Sequence, residues 1–142
     1  IQVGANDGKS DDFLFKCINK DLDAILIEPI NDAFLKLKKN YEHYTKVNCL
    51  NLAIGIENGI KEIFSVNSKH YGYYENKFKK TNVDWLNILS SFDKKHLINH
   101  GIKKYHIKSN NVNCITFFKL INDYGYHDVD LLIVDTEGMM ST

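Results

Sequence analysis

Arginine is missing from this 142-residue sequence: all 18 basic residues are lysine, and 18 acidic residues balance them. Without guanidinium groups the chain cannot form the bidentate contacts that arginine makes with phosphates and base edges, and its net charge of zero does not attract nucleic acid. Long apolar runs are missing too, since none approaches the ~18 residues that a membrane-spanning helix needs. We therefore expect no nucleic-acid partner and no membrane span.

Proline and cysteine are scarce. The sequence has one proline, Pro29, and three widely spaced cysteines, Cys17, Cys49 and Cys114. An odd number of scattered cysteines does not form a disulfide framework, so we expect reduced, buried thiols and a cytoplasmic protein. The sequence begins without methionine, directly on an apolar run, which is typical of a fragment.

The residues that are present are typical of a globular α/β protein. The composition is 44% hydrophobic and 25% charged, which excludes collagenous and natively disordered classes and suits one domain over residues 1–142. Ala24–Ile27 is a continuous apolar run closed by a Glu-Pro pair, as expected for a parallel strand covered on both faces. Apolar residues at helical spacing predict a helix that begins near residue 31. The apolar run Val129–Val134 predicts a last buried strand. We expect an open, mostly parallel α/β sheet with helices on both faces.

Three further segments carry structural signals. Val47–Ile54 alternates and then becomes apolar, which predicts a third strand. The Asn58-Gly59 pair predicts a hairpin that joins the end of this strand to Ile63–Val66. Residues 67–82 are polar and rich in tyrosine without a clear period. We expect a loop or lid there, whose tyrosines either line an acceptor pocket or anchor the loop.

His96 and His100, four residues apart, are the candidates for a metal site. Their segment, HLINH, lacks the glutamate of H-E-x-x-H, and no third ligand is evident in the sequence. We therefore expect no metal ion, and we expect both histidines to lie at the surface or to be partly buried.

A glycine-containing loop and an acidic residue give the first indication of a ligand. Gly4–Gly8, with the sequence GANDG, directly follows the apolar residues Ile1–Val3, and its glycines allow a tight turn or a close approach to a ligand. Glu28 stands 20 residues after Gly8, at the predicted end of the next strand. In open parallel sheets this is where an acidic side chain accepts hydrogen bonds from the ribose hydroxyls of an adenosine ligand.

The loop favours S-adenosylmethionine over a dinucleotide. A G-x-G-x-x-G loop would have glycine where this chain has Asn6 and Lys9, and the Asp7 carboxylate would repel a pyrophosphate. S-adenosylmethionine has an amino group and a sulfonium that suit this carboxylate, and it has no phosphate. An NAD-dependent Rossmann oxidoreductase is the alternative, because Glu28 suits either cofactor.

Ordered blocks along the chain resemble the FkbM-type methyltransferase family. The blocks are IQVGANDG at residues 1–8, IEP at 27–29, F-x-x-L-x-x-N-Y at 34–41, NLAI at 51–54, LSSFD at 89–93, VNCIT at 112–116 and VDLLIVDTEG at 129–138. The resemblance covers essentially the whole chain. It implies a Rossmann-like, S-adenosylmethionine-dependent methyltransferase that acts on hydroxyls of a small-molecule or glycan acceptor, such as a sugar, glycolipid or natural product. It also implies further strands, so that the C-terminal strands are missing from this sequence.

The resemblance also implies which residues bind the cofactor. They are Gly4, Asn6, Asp7 and Gly8 around the methionine part, Glu28 at the ribose, Ala53 and Ile54 near the adenine, and Ala5 and Pro29 beside them in the same loops.

Asp135 and Glu137 are the catalytic candidates. They lie two residues apart at the end of a predicted strand, so they share one side of an extended backbone, and one of them could accept the proton of an attacking hydroxyl. The alternative is that they stabilise the positive end of a following helix. An inactive, methyltransferase-like remnant is a further alternative, because the strands expected after this point are missing from the sequence.

Overall fold

The computed structural model describes residues 1–10, 12–17, 21–79 and 85–136. Within these ranges the chain divides into two compact units. The first unit comprises Ile1–Ile60 and Val112–Asp135, and the second comprises Lys61–Asn111 with Thr136.

Strands and helices alternate through the first part of the chain. In chain order the elements of the described residues are β1 (Gln2–Val3), α1 (Phe13–Cys17), β2 (Ala24–Ile27), α2 (Asn31–Asn40), β3 (Val47–Leu50), β4 (Ala53–Ile54), β5 (Gly59–Val66), α3 (Tyr71–Phe78), α4 (Trp85–Ile88), α5 (Lys94–Asn99), β6 (Ile107–Ile115), α6 (Phe117–Tyr124) and β7 (Ile133–Val134). Short 3-10 turns at Ser68–His70 and Lys104–His106 precede α3 and β6. No helix in the described ranges is long and apolar enough to cross a membrane.

The main sheet of the first unit has the strand order β3-β2-β1-β7, and each neighbouring pair is parallel. The register sets Val3 of β1 level with Ile27 of β2 and Val134 of β7. The carboxyl ends of these three strands therefore meet at one edge of the sheet. This arrangement confirms the predicted open, parallel, Rossmann-like α/β fold.

Helices cover both faces of this sheet, and β2 shows how. Ile25 and Ile27 pack on one face in a cluster with Leu120 of α6, whereas Leu26 packs on the other face with Leu37 of α2. These five side chains are all 0% exposed, and burial of each contributes roughly 1.5–3 kcal/mol. The continuous apolar run of β2 is thus explained, since successive side chains of a strand point to opposite faces.

The predicted third strand is interrupted, and the predicted hairpin is wrong. β3 ends at Leu50, and β4 pairs in parallel with β6 in a second sheet of order β4-β6-β5. Asn58, expected in the hairpin turn, accepts a hydrogen bond at Oδ1 from the N–H of Thr116 at 2.9 Å. A pairing partner from far along the chain therefore replaces the local one.

The last predicted strand is shorter and more exposed than expected. Only Ile133–Val134 form a strand, and the side chains of Leu131 and Val134 are each 49% exposed. In the sheet of the described residues β7 is an edge strand, so its apolar side chains have a strand neighbour on one side only.

Residues 71–78 form α3 rather than the expected loop or lid. Tyr74 is fully buried in the core of the second unit. Its hydroxyl lies 2.9 Å from His106 Nδ1 and accepts a hydrogen bond from the Lys103 N–H at 2.9 Å. Of the two roles expected for these tyrosines, Tyr74 has the anchoring one, because its ring and its hydroxyl both contact the core.

None of the three cysteines, all of which lie in the described ranges, forms a disulfide bond, and they are not all buried. Cys114 is buried in β6, Cys49 is half-buried in β3, and Cys17 is exposed at the end of α1. The expectation of buried thiols is therefore wrong for Cys17, because α1 turns that position towards solvent.

Candidate functional site

The Gly4–Gly8 loop is a tight turn at the carboxyl end of β1. The N–H groups of Gly4 and Ala5 both donate to the Ile27 carbonyl of β2, at 2.9 Å each, and the Gly8 N–H donates to the Ala5 carbonyl at 2.8 Å. Gly4 and Gly8 have φ values of +80° and +65°, and Asn6 has +49°. Three of the five residues thus adopt left-handed backbone conformations, which glycine and asparagine tolerate best.

The second half of the loop packs on the C-terminal turn of α2. A Cβ on Gly8 would lie 2.4 Å from Leu37 Cδ1 and 2.6 Å from Tyr41 Cε2, so only glycine fits there. Asn40, the last residue of α2, donates a hydrogen bond from Nδ2 to the Asp7 carbonyl at 2.8 Å. Sequence reasoning did not assign a role to Asn40, although it belongs to one of the blocks that resemble the family.

Asp7 uses its carboxylate to hold the chain after the loop. Oδ1 accepts hydrogen bonds from the N–H groups of Lys9 and Ser10, and Oδ2 accepts one from the Ser10 hydroxyl, at 2.7–2.9 Å. Partial burial alone would raise the pKa of Asp7. The hydrogen bonds from Ser10 and Lys9, with the charge of Lys36, outweigh burial and lower this pKa below its usual value of 3.8. Asp7 therefore stays ionised.

Glu28 follows β2 and is almost completely buried, with 6% of its surface exposed. Its Oε2 accepts a hydrogen bond from the Asn6 N–H, and its Oε1 accepts one from the Ile30 N–H, both at 2.8 Å. Burial raises the pKa of Glu28 from 4.5 to about 7, although these two hydrogen bonds act in the opposite direction. The carboxylate thus connects the glycine loop to the segment that leads into α2.

The main chain at Glu28 is held from the β3 side. The Glu28 N–H donates to the Leu50 carbonyl at 3.0 Å. Asn51, just after β3, donates from Nδ2 to the carbonyls of Glu28 at 2.9 Å and Pro29 at 3.2 Å. Sequence reasoning did not assign a role to Asn51 either, because a side-chain amide that binds main-chain carbonyls leaves no characteristic spacing.

Ala53 and Ile54, expected near an adenine, form β4. Ala53 is buried, and Ile54 packs against the apolar cluster that contains Ile27 and Leu52. The structure thus brings Ile54 to the apolar core at the end of β2.

Of the two catalytic candidates, Asp135 lies among the described residues. Asp135 directly follows β7, and its N–H donates to the Val3 carbonyl at 2.9 Å, so it lies beside the start of the glycine loop. Its side chain is exposed. Glu137 lies outside the described residues.

A cleft of about 710 Å³ in the first unit lies away from this loop. Its lining includes Ala24 and Asn48, at the amino ends of β2 and β3, together with Tyr126 and Leu131. Ligands of open parallel sheets bind at the carboxyl ends of the strands, so the loop edge rather than this cleft is the candidate site.

The two histidines of the HLINH segment lie in the second unit. Their rings are 4.4 Å apart, and His100 Nδ1 is 2.8 Å from the His96 carbonyl. Among the described residues, no three His, Cys, Asp or Glu side chains lie together as metal ligands would.

The fold has parallel strands in the order β3-β2-β1, a glycine loop after β1 and a buried carboxylate after β2, which together define a Rossmann-like architecture. The profile of the methyltransferase FkbM domain matches residues 2–139. The chain therefore belongs to the FkbM methyltransferase family. Neither the curated proteins nor the solved structures include a match to it.

Proposed function

We propose that this chain is an S-adenosylmethionine-dependent methyltransferase that methylates a hydroxyl of a small-molecule or glycan acceptor. The observation that carries this proposal is the buried Glu28 carboxylate, which contacts the glycine loop at the carboxyl edge of the sheet. Membership of the FkbM family supports methyl transfer. The family resemblance supports a sugar, glycolipid or natural product as the acceptor.

The chemistry of the loop edge fits an adenosyl cofactor. Above pH 7 the Glu28 carboxylate is mostly ionised and then only accepts hydrogen bonds, and the two ribose hydroxyls can donate them. Each Glu28 oxygen accepts one N–H group and has lone-pair capacity for one hydroxyl more. The ionised Asp7 suits a positively charged amino group and would repel a pyrophosphate.

We assign the contacts with the cofactor to residues of three segments. They are Gly4, Ala5, Asn6, Asp7 and Gly8 for the methionine part, Glu28 and Pro29 for the ribose, and Ala53 and Ile54 for the adenine. When bound, S-adenosylmethionine supplies a methyl group on a positively charged sulfur.

The contribution of the chain to the reaction is alignment and proton acceptance. The loop and Glu28 hold one reactant in a fixed position, which by itself removes much of the entropic barrier. We propose that Asp135, at the end of β7, orients the acceptor hydroxyl and accepts its proton, with Glu137 as the second carboxylate.

Calorimetric titration tests the cofactor. We expect the protein to bind S-adenosylmethionine and S-adenosylhomocysteine but not NAD. Glu28→Gln should weaken binding by about ten- to a hundredfold, because hydrogen bonds to a charged acceptor contribute roughly 1.5–3 kcal/mol. Glu62→Gln, at an exposed position of β5, is the matched control and should bind normally. Binding of NAD instead would support the oxidoreductase.

Transfer of a labelled methyl group tests the reaction. The protein is incubated with methyl-labelled S-adenosylmethionine and a panel of sugars, glycolipids and polyphenols, and the products are analysed by mass spectrometry. We expect label on an acceptor oxygen and a lower kcat for Asp135→Asn. Cofactor binding without transfer to any member of the panel would favour the inactive remnant.

A further inference from the structure

Two asparagine side chains contact the main chain of the candidate site from outside it. Asn40 reaches the Asp7 carbonyl from the end of α2, and Asn51 reaches the carbonyls of Glu28 and Pro29 from the end of β3. Neither asparagine is among the residues assigned to cofactor contacts. Each donates to the part of the backbone from which an assigned side chain extends.

Asn40 fixes the orientation of one peptide group in the loop. The peptide between Asp7 and Gly8 is held at both ends: its carbonyl accepts from Asn40, and its N–H donates to the Ala5 carbonyl. Asn6 and Gly8, on either side of Asp7, have positive φ values. Turn types differ in the orientation of their peptide groups, so a hydrogen bond to the Asp7 carbonyl favours one orientation.

Asn51 fixes the direction of Glu28. The Glu28 N–H is bonded to Leu50, and its carbonyl accepts from the Asn51 amide, so both main-chain groups of Glu28 are held by the end of β3. The same amide also reaches the carbonyl of Pro29, a residue that has no N–H of its own. The Asn51 amide thus holds the backbone from which the Glu28 carboxylate extends.

We propose that Asn40 and Asn51 are positioning residues of the cofactor site. Asn40 acts through the Asp7 carbonyl on the half of the loop assigned to the methionine part. Asn51 acts through the Glu28 and Pro29 carbonyls on the carboxylate assigned to the ribose. This inference rests on the proposed function, and it goes further because it assigns the two amides to different parts of one ligand.

Two probes separate the parts of the ligand: S-adenosylmethionine, which engages both halves of the site, and adenosine, which engages only the Glu28 half. We expect Asn51→Ala to weaken the binding of both by a similar factor of roughly ten, as for the loss of one hydrogen bond. Asn40→Ala should weaken the binding of S-adenosylmethionine by a similar factor and leave the binding of adenosine unchanged. A role in stability alone would not separate the two probes.

A control variant and a check on folding test whether the effects are specific to Asn40 and Asn51. Asn122→Ala, at an exposed position of α6, should bind both probes as the wild type does. Titrations are made well below the Tm of each variant, and Asn→Asp, which keeps the size of the side chain, replaces any alanine variant that does not fold. Unchanged affinities in both variants beside a lower Tm would overturn the inference. Failure of the wild type to bind either probe would overturn the proposed function, and this inference with it.

Discussion

Glu28 in the first unit and His106 in the second are equally buried, each 6% exposed, but their surroundings differ. Glu28 accepts two hydrogen bonds from backbone N–H groups, one of them in the glycine loop. His106 lies among rings: it stacks on His70 with 3.7 Å between ring centroids, and its Nδ1 is 2.9 Å from the Tyr74 hydroxyl. One group is surrounded by donors suited to a negative charge, and the other by aromatic and basic neighbours.

The surroundings of His106 favour its uncharged form. The Tyr74 oxygen accepts from the Lys103 N–H, and its own proton is then available to donate to His106 Nδ1. Burial lowers the pKa of His106 below 6.5, and repulsion from His70, Lys103 and Lys69 lowers it further.

Glu28 and His106 show that two equally buried groups can have opposite electrostatic surroundings. Glu28 belongs to the loop edge, where the ligand that we propose would add further hydrogen bonds to its charged form. His106 belongs to a packed core, in which its Nδ1 lies within hydrogen-bond distance of the Tyr74 hydroxyl. The two units should therefore respond oppositely to pH, because charge develops on Glu28 as pH rises and on His106 as pH falls.

The largest effect should come from filling the space at Gly8. Gly8→Ala places a Cβ against Leu37 and Tyr41 in a left-handed residue. Backbone strain of about 1–2 kcal/mol and overpacking of about 1–3 kcal/mol should together lower the free energy of unfolding by about 2–5 kcal/mol. Cofactor binding should be lost, as measured by urea denaturation and calorimetry.

Gly125→Ala is the matched control for this change. Gly125, with φ of +71°, ends α6, and no heavy atom lies within 4 Å of the position of an added Cβ. Only the backbone strain of about 1–2 kcal/mol should appear. If both substitutions lowered the free energy of unfolding equally, close packing around Gly8 would contribute nothing to the stability of the loop.

The next largest effect is the pH dependence that Glu28 contributes. Its pKa is about 7 in the folded protein and near 4.5 in the unfolded chain, so the folded state binds the proton more tightly. This contribution is fully present below pH 4.5 and is lost as pH rises through 7, by up to about 3 kcal/mol. In urea denaturation at pH 5 to 8, wild type should lose stability relative to Glu28→Gln. Parallel curves for the two proteins would contradict the burial argument.

The smallest effect is the pH dependence of His106, which has the opposite sign. Its lowered pKa means that the unfolded chain binds the proton more tightly, so stability is full above pH 6.5 and falls as the pH drops below it. Trp85, the single tryptophan, lies in the second unit and reports its unfolding by fluorescence. The wild type should lose stability between pH 7 and 5, whereas His106→Asn, which keeps an acceptor for Tyr74, should lose less. If both proteins lost the same stability between pH 7 and 5, groups other than His106 would cause the pH dependence.

The parts of the fold that sequence predicted have local causes. β2 was predicted with its observed bounds because a continuous apolar run closed by proline has few alternatives. The proximity of the glycine loop to Glu28 followed from the same strand, since parallel neighbours end at one edge of the sheet. These signals lie within about 30 residues of one another.

The parts that sequence missed depend on distant contacts. α3 has a single buried residue, Tyr74, so no apolar period marks it, and its partners Lys103 and His106 are about 30 residues away. The Asn58-Gly59 pair favours a hairpin locally, but β4 pairs with β6 instead. Asn40 and Asn51 could not be assigned because their partners are main-chain carbonyls, which no side-chain pattern identifies.

The strand order of the first sheet also determines when the site can form during folding. The contacts that shape the glycine loop join residues 22 and 33 positions apart, as in Asn6 with Glu28 and Asn40 with Asp7. β7 reaches β1 from more than a hundred residues further along the chain, and closing the longer loop costs about 1.5 kcal/mol more in entropy. On a ribosome the glycine loop and Glu28 can therefore assemble while the second half of the chain is still being synthesised. Asp135 joins them only when β7 pairs with β1, so we expect the glycine loop and Glu28 to come together before Asp135 does.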